Sequence, residues 1–188
     1  MYFLEYREAV RNSHYVRGKD GRVIDSKVFE RNLNGIDVIL RVDDYESPFK
    51  HSFGEWWCDC GFSFRMGRLA ETINYCKDHD ELLMPEEVDG LANALTNLLD
   101  GKINEPQEYQ MMEPDFVFML YPIKDLRTDP KYSYVAPGYE FQDIYVEWRV
   151  FFWDGGITEN YLMLTMYRDD IIAFRDFLES VRGSKNEW

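Results

Sequence analysis

Apolar and polar residues alternate with a period of two through EWWCDCGFSFRM (55–66). Trp56, Cys58, Cys60, Phe62 and Phe64 fall on one side and Glu55, Asp59, Ser63 and Arg65 on the other. That is the pattern of a strand with one buried face, and both cysteines belong to it. IDVILRV (36–42), FVFML (116–120), DIYVEWRVFFW (143–153) and ENYLMLTMY (159–167) predict further strands. YFLEYREA (2–9), ahead of the turn residues Gly18-Lys19-Asp20-Gly21, predicts another at the start. The period changes to three and four over 85–100, where Val88, Leu91, Ala92, Leu95, Leu98 and Leu99 make one apolar stripe on a helix. Pro85 suits its first turn, Glu86 and Glu87 complement its positive end, and Gly101 stops it. Ile171, Ile172, Phe174, Phe177, Leu178 and Val181 predict a second amphipathic helix over 169–182, ended by Gly183.

Asp154-Gly155-Gly156 joins the runs 143–153 and 159–167. A glycine-containing connection of a few residues between two strand-like runs predicts a hairpin rather than the mouth of a catalytic site. Both strands carry apolar residues on both faces, which predicts a place near the centre of a sheet. Residues 121–141, with three prolines and a glycine, predict a long excursion between strands, where binding residues often sit. Strands, helix, strands, helix, without βαβ alternation, predict an α+β fold in which antiparallel sheets pack with two helices. The 188 residues fit one domain spanning 1–188.

Hydrophobic residues make up 45% and aromatics 16% of the chain, enough apolar surface to offset the entropy of ordering, which excludes a disordered chain. No run approaches the roughly 18 uncharged apolar residues of a membrane span. The first residues, MYFLEYREAVRNSHYVRGKD, carry charge where a signal peptide needs an apolar core, so a cytoplasmic protein is expected. Three cysteines, an odd number without a secretion signal, predict reduced thiols. The net charge of −14 is uneven: residues 1–35 carry +2 and residues 36–188 carry −16. Such a surface repels phosphate backbones and anionic lipids and speeds association with basic proteins. Nucleic acid and membrane are disfavoured as partners and a basic protein is favoured, although acidity also serves solubility alone.

Cys58, Cys60, Cys76 and His79 form a C-x-C pair followed by C-x-x-H, ligand types suited to tetrahedral zinc. The one-residue gap departs from the usual knuckle spacing and sets two thiols beside Trp56 and Phe62, where free cysteine packs as a small hydrophobe. Core packing is the expected role, and no cofactor is assigned. The chain contains neither G-x-S-x-G nor a glycine-rich phosphate loop. His14, His51 and His79 lie in polar segments that read as exposed loops. With 35 acidic residues, a carboxylate pair such as Glu113 and Asp115 is uninformative. No catalytic residue is assigned.

Acidic residues do cluster around the first helix: Asp78, Asp80, Glu81, Glu86, Glu87 and Asp89, with Asp43, Asp44 and Glu46 in an earlier loop. They read either as a solvated face with dipole complementation or as a patch for a basic partner. In the second reading Tyr132, Tyr134 and Tyr139 of the 121–141 excursion supply apolar anchors.

Glu-Trp-Trp (55–57), a leucine-rich helix ending LTNLLDGK, EPDFVFML (113–120) and VEWRVFFWDGGITENYLMLTMYRDDIIAFRDFL follow one another in an order that resembles the WapI-type family of bacterial immunity proteins, over roughly residues 36–182. The resemblance implies a small cytoplasmic protein that neutralises the C-terminal toxin of a cell-surface polymorphic toxin, often a nuclease, by binding and without catalysis. Two alternatives stay open: an intracellular interaction or housekeeping protein with another partner, and a zinc-binding protein or carboxylate-dependent enzyme.

Overall fold

A computed structural model describes residues 16–17, 23–24, 26–43, 45, 57–67, 73–154 and 156–183. The strand expected over 2–9, the turn at 18–21 and the first two residues of the run 55–66 lie outside the described residues. The elements are β1 (Val16–Arg17), β2 (Val23–Ile24), β3 (Lys27–Leu33), β4 (Ile36–Asp43), β5 (Cys58–Met66), β6 (Ile73–Leu83) and α1 (Pro85–Leu99). They continue with β7 (Gln107–Gln110), β8 (Phe116–Tyr121), β9 (Lys124–Asp125), a 3-10 turn at Leu126–Thr128, β10 (Phe141–Gln142), β11 (Tyr145–Trp153), β12 (Ile157–Tyr167) and α2 (Arg168–Arg182). Among the described residues every strand pairing is antiparallel, and the class is α+β with two amphipathic helices. No helix among the described residues is long and apolar enough to cross a membrane.

The chain divides into two compact units, Met1–Ala92 with Phe174–Trp188, and Asn93–Ala173. The first contains a four-stranded sheet in the order β3-β4-β5-β6. Asn34 and Gly35 join β3 to β4 with φ of 52° and 90°, the pair of left-handed residues that a two-residue hairpin turn requires. The Asn32 side chain holds that turn by accepting from the Gly35 N–H and donating to Asp37. One face of the sheet is apolar: Phe29 and Leu33, Val38, Leu40 and Val42, then Phe62 and Phe64 are aligned by register and buried. Phe174 and Phe177 of α2 meet Phe29 with ring centroids 4.9 and 5.8 Å away. The opposite face carries Arg41, Asp43 and Ser63, which are buried too. β6, whose Lys77, Asp78, Asp80 and Glu81 read as a polar loop, is a strand because pairing with β5 overrides local preference.

The second unit is built on the sheet β12-β11-β8-β7. Its buried face holds Phe116, Phe118 and Leu120, then Val146, Trp148 and Val150, then Leu164 and Met166. Trp148 lies 5.3 Å from both Phe116 and Phe118, edge-on to the first and stacked on the second. Gly101, at φ 68°, ends α1. Its N–H reaches Leu98 O at 3.1 Å and that of Lys102 reaches Asn97 O at 2.9 Å, the paired bonds of a glycine-terminated helix. The connection through Asp154 and Gly156 is the expected hairpin between β11 and β12, with a bulge between Phe151 and Trp153. The expected central position holds for β11 but not for β12, which is the outer strand of this sheet among the described residues.

Candidate interaction surface

Among the described residues, the acidic side chains singled out above do not come together on one open surface. Asp43 is the last residue of β4 rather than part of a loop, and its buried carboxylate meets Arg41 Nε at 2.6 Å. Asp78 meets the same guanidinium at 2.9 Å. Gly61, opposite Arg41 in register, provides the space: a Cβ there would stand 3.1 Å from the guanidinium carbon and 3.2 Å from Asp78 Oδ1. Burial lowers the Arg41 pKa, but Asp43 and Asp78 outweigh it and hold the group above its ordinary value. Burial pushes the Asp43 carboxyl above its ordinary value despite its bonds to Ser26 and Arg41. Asp80 pairs with Lys77 at 3.1 Å, and Glu81 is exposed on the same strand.

Glu87 is buried, and its Oε2 accepts the Met84 N–H at 2.8 Å, closing the first turn of α1 from inside the helix. Asp89 accepts from the Tyr45 hydroxyl at 2.7 Å and meets Arg182 Nε at 3.0 Å, tying the start of α1 to the end of α2 within the first unit. Glu86 is half-buried, and Asp44 and Glu46 lie outside the described residues. The first unit thus turns most of these carboxylates toward internal partners.

The thiols do not converge either. Cys60 pairs with Val42 on the apolar face of the first sheet, whereas Cys76 pairs with Ser63 on the other. Burial raises the pKa of both thiols, so they are protonated at neutral pH. Cys58 is buried, and the His79 side chain lies outside the described residues, although its backbone belongs to β6 rather than to a loop. Among the described residues no group of three or more His, Cys, Asp or Glu is placed to hold a metal ion.

Large side chains stand exposed on one sheet face of the second unit. Register places Tyr167, Tyr145 and Tyr121 in one row on the face away from Trp148, followed by Thr165, Glu147 and Met119, then Met163, Arg149 and Val117, then Tyr161 and Phe151. Tyr121 and Tyr145 stack with centroids 4.3 Å apart and rings inclined by 6°. Phe151 meets Tyr161 at 5.1 Å, and the Arg149 guanidinium lies 5.7 Å from the Tyr161 ring centroid. Tyr161, Met163 and Tyr167 are 46%, 47% and 55% exposed, large values for apolar side chains in a strand. Burial, then Glu147, raises the pKa of Tyr121 and of Tyr145. Both phenols therefore stay neutral at pH 7, and the face offers ring surface and O–H groups rather than charge.

The excursion after β8 is held by its own polar contacts. Asp125 accepts from the Arg127 backbone and side chain, Lys124 meets Asp129 at 2.6 Å, and Arg127 lies 5.2 Å from the Phe141 ring centroid. Asp125 is held below the ordinary carboxylate range by Arg127, and Asp129 by Lys124. This framework leaves Tyr132, Tyr134 and Tyr139 exposed, the latter two at 74% and 73%. The exposure of these three tyrosines accords with their place in a proline-rich excursion, whereas the exposed sheet face was not expected. The available signal was the odd positions Ile157, Tyr161, Met163 and Tyr167, apolar opposite an apolar even set.

Asn93–Ala173 holds fourteen acidic and six basic residues, a net charge of −8. Five of the six cations, Lys102, Lys124, Arg127, Arg149 and Arg168, lie in ion pairs with carboxylates of the same unit. An aromatic face on an acidic unit suits a partner that brings apolar side chains together with positive charge. Comparison with protein families, curated proteins and solved structures finds no match to this chain.

Proposed function

We propose that this chain is a cytoplasmic, non-catalytic binding protein that neutralises a basic bacterial toxin domain, as its resemblance to WapI-type immunity proteins implies. The observation that carries the reading is the open aromatic face of β11 and β12. A sheet face with Tyr161, Met163 and Tyr167 near half exposure is the kind of surface that becomes the core of a protein interface. The charge of −8 on the same unit supports a basic partner and electrostatically assisted association. The neutral, stacked phenols suit contact rather than proton transfer.

The test is to mix the chain with the product of the adjacent upstream gene and to measure complex formation and survival of cells producing that product. A stable complex that restores growth is expected. No complex, or a complex that leaves the toxicity unchanged, overturns the reading.

A further inference from the structure

Glu147 lies on the tyrosine-bearing face of the second unit's sheet, with its side chain 18% exposed. A carboxylate so far withdrawn from water needs donors, and the two it has are distant. The Tyr121 hydroxyl donates at 3.2 Å and the Arg149 guanidinium at 3.3 Å, whereas charge-assisted bonds run at about 2.7–2.9 Å. Both contacts fall on Oε2, so neither engages Oε1. Arg149 is shared as well, since its guanidinium lies 5.7 Å from the Tyr161 ring centroid. The carboxylate therefore keeps capacity for a stronger donor. The rings beside it supply the rest of a receptor. Tyr145 precedes Glu147 by two residues on β11 and shares its face, and register sets Tyr121 on one side of Tyr145 and Tyr167 on the other. Diagonal neighbours across strands, about 7–8 Å apart, are within reach of long side chains. Tyr121 and Tyr145 stack with centroids 4.3 Å apart as one aromatic plate, and Tyr167 is 55% exposed. Burial, then Glu147, raises the Tyr145 pKa, and the phenols of Tyr132 and Tyr167 add to the effect. The nearby cation Lys124 is held by Asp129 at 2.6 Å.

We infer that Glu147 with Tyr121, Tyr145 and Tyr167 forms a receptor for one arginine side chain of the protein partner: the guanidinium lies against the rings and donates to Glu147 Oε1. A phenol ring offers a negative face to a cation. A guanidinium is planar, so it can lie on a ring while its N–H edge meets a carboxylate. Charge decides the occupant. An acidic side chain meets both Glu147 and the −8 unit with repulsion, and an apolar one would cover Oε1 without giving it a donor. Arginine satisfies the rings and the carboxylate together. The inference rests on the proposed binding of a basic partner and names the side chain by which that partner is held.

The probe is the capped peptide glycine-arginine-glycine, and the control peptide carries citrulline, the uncharged isostere, in place of arginine. Each is titrated into the full chain while the tyrosine ring signals are followed by NMR. The arginine peptide should shift Tyr121, Tyr145 and Tyr167 saturably and leave Tyr134 and Tyr139, exposed rings of the same unit, in place. The citrulline peptide should shift none of them. Glu147→Gln should weaken the arginine peptide by about tenfold, the scale of a hydrogen bond to a charged group. Tyr167→Ala, at an exposed position, should weaken it by about two- to fivefold. Three results each overturn the inference: no saturable shift at the three rings, equal shifts by both peptides, or equal shifts at Tyr134 and Tyr139. An unchanged affinity in a folded Glu147→Gln chain overturns it too, and if that chain does not fold, an unchanged affinity in Tyr167→Ala does so. If the neighbouring gene product binds the original and Glu147→Gln chains equally, the receptor fails and the proposed function stands. If the peptide binds at the three rings but the gene product does not bind, the reverse holds.

Discussion

The two four-stranded sheets handle polar and apolar side chains in opposite ways. The first keeps an ion pair inside: Arg41 and Asp43 are buried on the face opposite Phe62 and Phe64. The second keeps rings outside: Tyr161 and Tyr167 stand open on the face opposite Trp148. Burying charges is costly unless every partner is in place, and leaving rings in water forgoes roughly 25 cal/mol per Å² of apolar area. The first arrangement therefore reads as a device of structure and the second as a device of contact.

The sharpest way to test that contrast is to remove Arg41. Arg41→Met leaves Asp43 buried without its cation and should destabilise the chain by about 3–5 kcal/mol in denaturant unfolding. A loss near zero would mean that the pair plays no structural part. Gly61→Ala keeps both charges but places a methyl 3.1 Å from the guanidinium carbon, and a loss of about 1–3 kcal/mol is expected. Glu87→Ala removes the acceptor for the Met84 N–H and should cost about 0.5–2 kcal/mol, a capping loss.

On the other sheet the expectation inverts. Tyr161→Ala and Tyr167→Ala should shift folding stability by no more than about 0.5 kcal/mol while weakening partner binding by tenfold or more, about 1.4 kcal/mol each. Loss of stability without loss of binding would move these rings from contact to structure.

The smallest expected effect is the response to acid, and its sign differs between the units. Arg168 depresses the Asp143 pKa and Lys124 that of Asp129. Depressed carboxylates contribute stability above their unfolded pKa and lose it as pH falls through the folded one. Asp43 is raised, so its contribution is present below its unfolded pKa and lost as pH rises through the folded one. Acidification should thus speed amide exchange around Asp129 and Asp143 before it does so around Asp43. Uniform speeding would erase the distinction.

Periodicity made the class, both helices and the β11–β12 hairpin legible, because an apolar stripe and a glycine turn are local signals. Asn34-Gly35 is an equally local signal for the β3–β4 hairpin. β6 was hidden because Lys77-Asp78-His79-Asp80-Glu81 looks solvated. Only tertiary pairing shows that Asp78 turns to Arg41. The acidic cluster was legible as composition but not as surface, since nothing in the sequence of Glu87 or Asp89 states that each bonds to Met84 or Tyr45. The anchors Tyr132, Tyr134 and Tyr139 were visible because a proline-rich excursion tends to remain outside. The open face of β12 was not, because apolar residues on both sides of a strand also describe one at the centre of a sheet.

Gly61 has a consequence for how the first sheet chooses its alignment. Sliding β4 by two residues along β5 would bring Arg41 opposite Asp59 or Ser63, where a side chain already occupies the space that the glycine leaves empty. Sliding it by one residue would turn the guanidinium toward the phenylalanines. The missing methyl group therefore acts as a notch that accepts one long cationic side chain in one position, and the strands lock where the two coincide.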